Sequence, residues 1–237
     1  MISEYNYCIK FIFVGVIQVK IKDLYNLENT LAKELFADRE YPWEILGKIK
    51  AFIINSGKDL GNSYEQKGEN IWIEKSASVS PTACLNGPLI IDKGAEIRHC
   101  AYIRGSVIVG KGAVVGNSCE LKNCILFDKV QVPHYNYIGD SVIGYMSHFG
   151  AGALTSNVKS DKSLVTVKGK GINIPTGLKK LGAMVGDNVE IGCHAVLCPG
   201  TVIGKNTNIY PLSMVRGVIE KNSIYKRENE IVEKIKE

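Results

Sequence analysis

From Ile73 onward, every sixth residue is aliphatic or aromatic: Ile73, Val79, Leu85, Ile91, Ile97, Ile103, Val109, Val115, Leu121 and Phe127. Four residues after many of these stands a small side chain, as at Ala77, Ala83, Ala95, Ala101, Ala113 and Cys119. Glycine or aspartate often follows the apolar position directly, as at Gly110, Gly116 and Asp128. A second block resumes the beat at Val185, Ile191, Leu197, Ile203, Ile209 and Val215. A period of six fits short flat strands joined by tight turns, three to a coil, with the apolar residue inside a prism and the small one near its corner. The pattern predicts a mainly β chain, a left-handed parallel β-helix over 71–224. A β-sandwich would instead show strict alternation and turn signals every ~8–12 residues.

Outside the repeat the periodicity changes. Leu24, Leu27, Leu31 and Leu35 share one helical face, and Ile45, Leu46, Ile49, Phe52 and Ile53 share another that begins near Pro42, so residues 24–54 read as two helices. Residues 7–21 read as a strand or hairpin. The segment 1–60 is thus a small N-terminal α/β unit, with 61–70 as a linker. Residues 156–183 interrupt the repeat with Lys159, Lys162, Lys168, Lys170, Lys179 and Lys180. Insertions into a solenoid gather on one face, often the binding face. The charged end, 225–237, reads as a short helix.

Composition narrows the function classes. The chain has 237 residues, 45% hydrophobic and 22% charged, which excludes a disordered polymer. No apolar run approaches the ~20 residues of a membrane-spanning helix, and Phe11 to Val19 lacks the flanks of a signal peptide, so a cytoplasmic protein is expected. Seven cysteines without a Cys-x-x-Cys pair argue against a disulfide framework and a zinc site. His99, His148 and His194 share no ligand spacing with His134, so no metal is expected. The net charge of +5 is spread too thinly for nucleic acid but suits a phosphorylated small molecule.

Two groups of residues carry candidate chemistry. Arg104 and Lys122 are 18 apart, one coil, and each follows an inward apolar residue; they should stack about 4.8 Å apart and repel unless an anion joins them. His134 lies where the apolar beat slips by one, from Phe127 and Pro133 to Ile138. Such a slip points to local geometry selected for something besides packing, and histidine is the usual general base near neutral pH.

At these residues the sequence resembles the acetyltransferase domain of the bifunctional N-acetylglucosamine-1-phosphate uridyltransferase/glucosamine-1-phosphate N-acetyltransferase family. The resemblance covers roughly 71–227. It runs without gaps from Arg104-Gly105 through Gly116-Asn117-Ser118-Cys119-Glu120-Leu121-Lys122 and His134-Tyr135-Asn136-Tyr137-Ile138-Gly139-Asp140 to Phe149-Gly150-Ala151-Gly152-Ala153-Leu154-Thr155-Ser156-Asn157. It implies an acetyl-CoA-dependent acyltransferase of the UDP-N-acetylglucosamine pathway. His134 would take the proton from the substrate amine. Arg104 and Lys122, with Lys162 from the loop, would hold the sugar phosphate, and Tyr137 and Asn157 would contact the amino sugar or support the reacting groups. The Ala151 amide would stabilise the thioester oxyanion. Cys193 and Pro211 fall where the family lines its acetyl-CoA channel, and Arg227 or Lys226 would meet a coenzyme phosphate.

Two departures matter. His148 replaces a substrate-contacting asparagine and Val158 a tyrosine, which opens the acceptor to galactosamine-1-phosphate beside glucosamine-1-phosphate. The family's nucleotidyltransferase loop is not seen at the start of the chain, where the first glycine is Gly15, so no uridyl transfer is expected. Because His134 and the cation pair project from different faces, a homotrimer is expected, with sites in the clefts between prisms. Two rival readings stand: a non-catalytic β-helix subunit serving a separate nucleotidyltransferase, and an acetyltransferase for a nucleotide-linked sugar.

Overall fold

A computed structural model describes residues 19–234. Most strands in it are only two to four residues long, and they stack in parallel to form a β-helix of three faces. One face is built from Ile71–Glu74, Leu89–Ile91, Val107–Val109, the second half of Glu120–Leu126, the second half of Tyr137–Ile143, Ala183–Val185 and Thr201–Ile203. The next begins at Ser78–Val79 and Glu96–Ile97 and continues through Val114–Asn117, Gln131–His134, His148–Phe149, Glu190–Ile191 and Asn208–Ile209. The third carries Cys84–Leu85, Tyr102–Ile103, Glu120–Leu121, Tyr137–Ile138, Leu154–Thr155, Val196–Leu197 and Met214–Val215. From Ile91 to Val115 the inward residues anticipated by the period are fully or almost fully buried.

Three columns of left-handed backbone make the corners. Cys100, Ser118, Tyr135, Gly152, His194 and Leu212 form the first, here called the histidine corner. At the second, the carboxylate corner, Gly105 and Ser106 turn one coil together, whereas Asn123 and Asp140 each turn a coil alone. That loss of one residue shortens the repeat from 18 to 17: Ile103 pairs with Leu121, but Ile108 pairs with Ile125 and Val109 with Leu126.

The register therefore slips at Asn123, ahead of the Phe127–Ile138 interval expected to hold it. Leu126, not Phe127, is the inward residue, and Val132 rather than Pro133 continues the series, in register with Val115. Pro133 comes so close to the coil above that a Cβ on Gly116 would lie 1.6 Å from its carbonyl oxygen. Phe127 is nevertheless fully buried, because Tyr25 and Phe36 of the N-terminal segment pack on it with ring centroids at 5.1 and 5.8 Å.

That segment covers the first face. The outward residues Ile90, Ile108, Ile125 and Val142 are apolar and fully buried, where an uncovered solenoid face would carry polar groups. Each such burial is worth about 1.5–3 kcal/mol, which accounts for the docking. Its expected first helix is broken: Ile21–Leu24 is one short turn, and Leu27–Asn29 and Lys33–Phe36 are separate 3-10 turns. Tyr25 is extended between them, its hydroxyl donating to the Val142 carbonyl (3.3 Å), while the Asn26 N–H donates to buried Asp187 (2.8 Å). Solenoid contacts override the leucine spacing. The second helix is Pro42–Lys48, a 3-10 stretch, continued by α-helix Ile49–Ser56. Of the hairpin expected over 7–21, residues 7–18 lie outside the described residues.

Two further expectations are corrected. Residues 61–70, read as linker, contain Tyr64–Gly68, which pairs antiparallel with Ile71–Glu74 and closes one end of the first face. The charged tail is not a helix. Ser223–Arg227 continues the solenoid beside Asn208–Ile209, and Glu230–Glu233 folds back on it antiparallel. Tyr225 is buried at a solenoid position there, and the charged residues around it suit an edge strand left facing solvent.

Candidate active site

The residues picked out in sequence fall into two sets, one at each end of the third face. The histidine corner holds the first. His134 pairs in register with Asn117, and its carbonyl accepts the Gly152 N–H (2.9 Å), which sets Ala151 directly beneath it. The Ala151 carbonyl accepts the His194 N–H, and the Cys193 carbonyl accepts the Leu212 N–H, so Cys193 and Pro211 follow in the same line. Ile209 pairs with Tyr225, and two residues on, Arg227 reaches the level of Pro211's lower neighbour. His134, Ala151, Cys193, Pro211 and Arg227 thus form one column. At the ~4.8 Å spacing of neighbouring strands its four steps span roughly 19 Å.

His134 and Pro211 are exposed, as is Cys193. Among the described residues, neither the His134 ring nor the Ala151 N–H has a hydrogen-bond partner in the chain. Both remain available to a ligand. Arg227, with a side chain 81% exposed, pairs with Glu230 (2.6 Å).

The carboxylate corner is different. Asp140, 3% exposed, accepts from Lys122 through both oxygens (3.2 and 3.0 Å), from the Asn123 amide (2.8 Å) and from the Asn157 amide (2.5 Å). The same Asn157 amide also donates to the Tyr137 hydroxyl (3.2 Å). Tyr137 lies back over Gly139, where a Cβ would meet its hydroxyl at 2.5 Å. Burial, reinforced by the Asp140 charge, raises the Tyr137 phenol pKa, so the group stays neutral.

Arg104 sits one coil above Lys122, as the spacing predicts, but no anion is needed to keep the two together. Each has its own carboxylate, Glu120 for Arg104 (2.8 Å) and Asp140 for Lys122. The Arg104–Glu120 pair is solvent-exposed, weakly held and easily yielded to a phosphate. Lys122 spends two of its three donors on Asp140, leaving one free.

Lys162 is exposed on a turn of the insertion, its N–H donating to the Lys159 carbonyl (3.0 Å). The insertion then forms a hairpin, Thr166–Gly169 with Ile172–Pro175, anchored by buried Val165, Val167 and Leu181. Beneath it lies a cleft of about 170 Å³ lined by Lys159, Lys168 and Arg216. Arg216 follows inward Val215 as Lys122 follows Leu121, so it belongs to the cation column of the carboxylate corner. Sequence reasoning missed it, although that offset was its signal. His148 is not brought to either set: it lies on the second face, paired through Nδ1 with Glu190 (3.0 Å).

Between the corners, the outward positions of the third face are largely apolar: Tyr102, Tyr137, Leu154, Val196 and Met214, with Met214 55% exposed. Tyr135 and Leu212 add to this surface at the histidine corner. Among the described residues no cluster of His, Cys, Asp or Glu could hold a metal ion, and no helix is long and apolar enough to cross a membrane.

With this geometry in hand, comparison with known proteins is informative. Residues 85–180 match the GMPPB C-terminal domain, and residues 182–217 match the bacterial transferase hexapeptide (six repeats). The bifunctional protein GlmU of Methanococcus maripaludis (strain S2) is 33% identical over 213 residues, 87% of this chain and 51% of that protein. The bifunctional sugar-1-phosphate nucleotidylyltransferase/acetyltransferase of Sulfurisphaera tokodaii is 37% identical over 109 residues, 46% of this chain and 27% of that one. The chain therefore spans about half, or less, of the length of these relatives. Among solved structures, the acetyltransferase domain of PglB from Neisseria gonorrhoeae in complex with acetyl coenzyme A aligns at 15% identity. That alignment covers 75% of this chain and 62% of that one, with a TM-score of 0.32, too low to inform the site.

Proposed function

The chain belongs to the hexapeptide-repeat acyltransferases related to GlmU, and on that footing we propose that it transfers the acetyl group of acetyl-CoA to the amine of an amino-sugar 1-phosphate. The observation that carries this reading is the straight column His134–Ala151–Cys193–Pro211–Arg227. It offers a base, an unpaired amide, an exposed track comparable in length to an extended pantetheine arm, and a cation at its foot. The GlmU resemblance favours glucosamine-1-phosphate or galactosamine-1-phosphate as acceptor, in the UDP-N-acetylglucosamine pathway. These are cytoplasmic metabolites, and we place the reaction there.

In the proposed step the sugar nitrogen attacks the thioester carbonyl while His134 removes its proton. Negative charge gathers on the former carbonyl oxygen, to which the Ala151 N–H donates. The C–S bond then breaks, the thiolate of CoA leaves, and the imidazolium returns the proton to sulfur. Arg104, Lys122 and Lys162 supply the phosphate cradle. Tyr137 and Asn157 order the sugar, and Asp140 holds Lys122 and Asn157 ready. His148, three residues before Ala151 on the second face and paired with Glu190, is given no role in this step.

The two residue sets stand roughly 15 Å apart along the backbone of the third face. A homotrimer whose exposed apolar third faces meet would bring the histidine corner of one copy to the carboxylate corner of the next. The coenzyme phosphates would then have cations on both walls, Arg227 on one and Arg216 with Lys168 on the other. A separate nucleotidyltransferase is the partner that would consume the product.

The test is CoA release from acetyl-CoA with a panel of amino-sugar 1-phosphates and nucleotide-linked amino sugars, for wild type and His134→Ala. Release with one acceptor class, lost in the variant, is expected. Equal slow release by both proteins on every acceptor would favour the non-catalytic subunit.

A further inference from the structure

At the corner where each coil turns from the second face to the third, one small residue points inward. Down the stack these are Ala101, Cys119, Asn136, Ala153, Ala195 and Ser213, the carbonyls of Cys119, Asn136, Ala195 and Ser213 each pairing with the coil above. Asn136 is the largest of them and the one that carries an amide. It is 2% exposed, and an unpaired amide at that depth would cost about 1–3 kcal/mol.

It is not unpaired. The Asn136 Oδ1 accepts the backbone N–H of His134 (3.0 Å). The Asn136 Nδ2 donates to the carbonyls of Gly150 and Ala153 (both 2.9 Å), the two residues that bracket Ala151 and Gly152. Its own N–H is turned toward the Cys119 sulfur (3.3 Å), so it takes no part in the local turn that Cys119, Ala153 and Ala195 make at this position. One buried side chain therefore ties the backbone of the proposed base to the turn carrying the proposed oxyanion donor, across two coils.

We infer that Asn136 is a positioning residue that fixes the spacing and orientation of His134 relative to the Ala151 amide. The inference rests on the acetyl-transfer reading. Alanine suffices for packing at this corner in three other coils, so packing does not require asparagine here. Reacting groups need placement within about 0.5 Å, and a 1 Å error costs on the order of 100-fold. A bracket with all three strong hydrogen bonds made inside the protein supplies that precision.

The experiment compares wild type, Asn136→Ala and Asn136→Ser by steady-state CoA release and by hydrogen exchange of the His134 amide. Asn136→Ala is expected to fold, to lose kcat by ~10–100-fold with both KM values within about threefold, and to exchange the His134 amide at least ~10-fold faster. Asn136→Ser, whose hydroxyl can restore one bond, should recover part of kcat. If Asn136→Ala does not fold, the serine variant carries the same comparison with wild type. A folded variant with kcat within twofold of wild type, or with unchanged exchange at His134, overturns the inference. Wild-type protein that releases no CoA with any acceptor identifies the acetyl-transfer reading as the failure, and the inference falls with it.

Discussion

The histidine corner and the carboxylate corner lie at opposite edges of one face and are held in opposite ways. At the first, backbone hydrogen bonds and buried Asn136 fix the main chain, while the His134 ring and the Ala151 N–H have no hydrogen-bond partner among the described residues. At the second, side chains are locked to one another around buried Asp140. The difference matches the two tasks proposed for them. A reacting centre needs unsatisfied groups in fixed places, whereas a cradle for a phosphate-bearing sugar needs cations and amides ordered before the ligand arrives.

The sharpest way to break this contrast is at the base. His134→Ala should lower kcat by ~10²–10⁴-fold and leave thermal stability near wild type, because the residue is exposed. Steady-state rates beside a melting curve decide it.

Next in size is a substitution outside both corners. Phe127→Ala removes the ring clamped by Tyr25 and Phe36 and should cost about 3–5 kcal/mol by denaturant titration, with both KM values unchanged. A change in KM would mean that the N-terminal segment reaches the site.

Lys122→Met attacks the carboxylate corner. It leaves Asp140 with the Asn123 and Asn157 amides but no cation, costing about 1–3 kcal/mol of stability, and it should raise KM for the sugar phosphate at least ~10-fold with little effect on KM for acetyl-CoA. Arg227→Ala should show the reverse selectivity. KM for acetyl-CoA rises several-fold while the melting curve stays at wild type, since the Glu230 pair it breaks is exposed.

The smallest effect concerns pH. The folded pKa of Tyr137 is raised, so its protonated form is the favoured one, and the stability this confers is complete below the ordinary phenol value of about 10 and lost only as pH climbs through the raised one. Tyr137→Phe should therefore leave the shape of the kcat/KM profile between pH 6 and about 9 unchanged. A shifted alkaline limb would assign Tyr137 a proton-transfer role.

Much of this was legible in the sequence. The six-residue beat reports burial directly, because most inward strand positions are apolar, and it located the β-helix and the stacking of Arg104 on Lys122. The resemblance supplied residues whose alignment in one column became visible only with the fold. What stayed hidden depends on contacts distant in the chain. Phe127 kept the beat by chance of position: the coil had already lost a residue at Asn123, and the ring is apolar because the N-terminal segment lies on it. The leucines of 24–35 are spaced like a helix, yet Leu24, Leu27 and Leu35 fall on three separate short turns. The tail after Ser223 forms strands because an open solenoid edge was there to pair with. Asp140 stood in the quoted motif without a role, since only the stacked coils bring Lys122, Asn123 and Asn157 around it.

The central claim, a site shared between copies, is tested most directly by mixing two inactive chains. His134→Ala and Lys122→Ala are unfolded together, refolded at equal amounts, and assayed for CoA release at an amino-sugar 1-phosphate concentration far below the raised KM of the lysine variant, where each parent alone is nearly inactive. If base and cradle come from neighbouring copies, random assembly restores about one quarter of the sites, and activity should rise to about that fraction of wild type. Mixed oligomers that remain as inactive as either parent would contradict it.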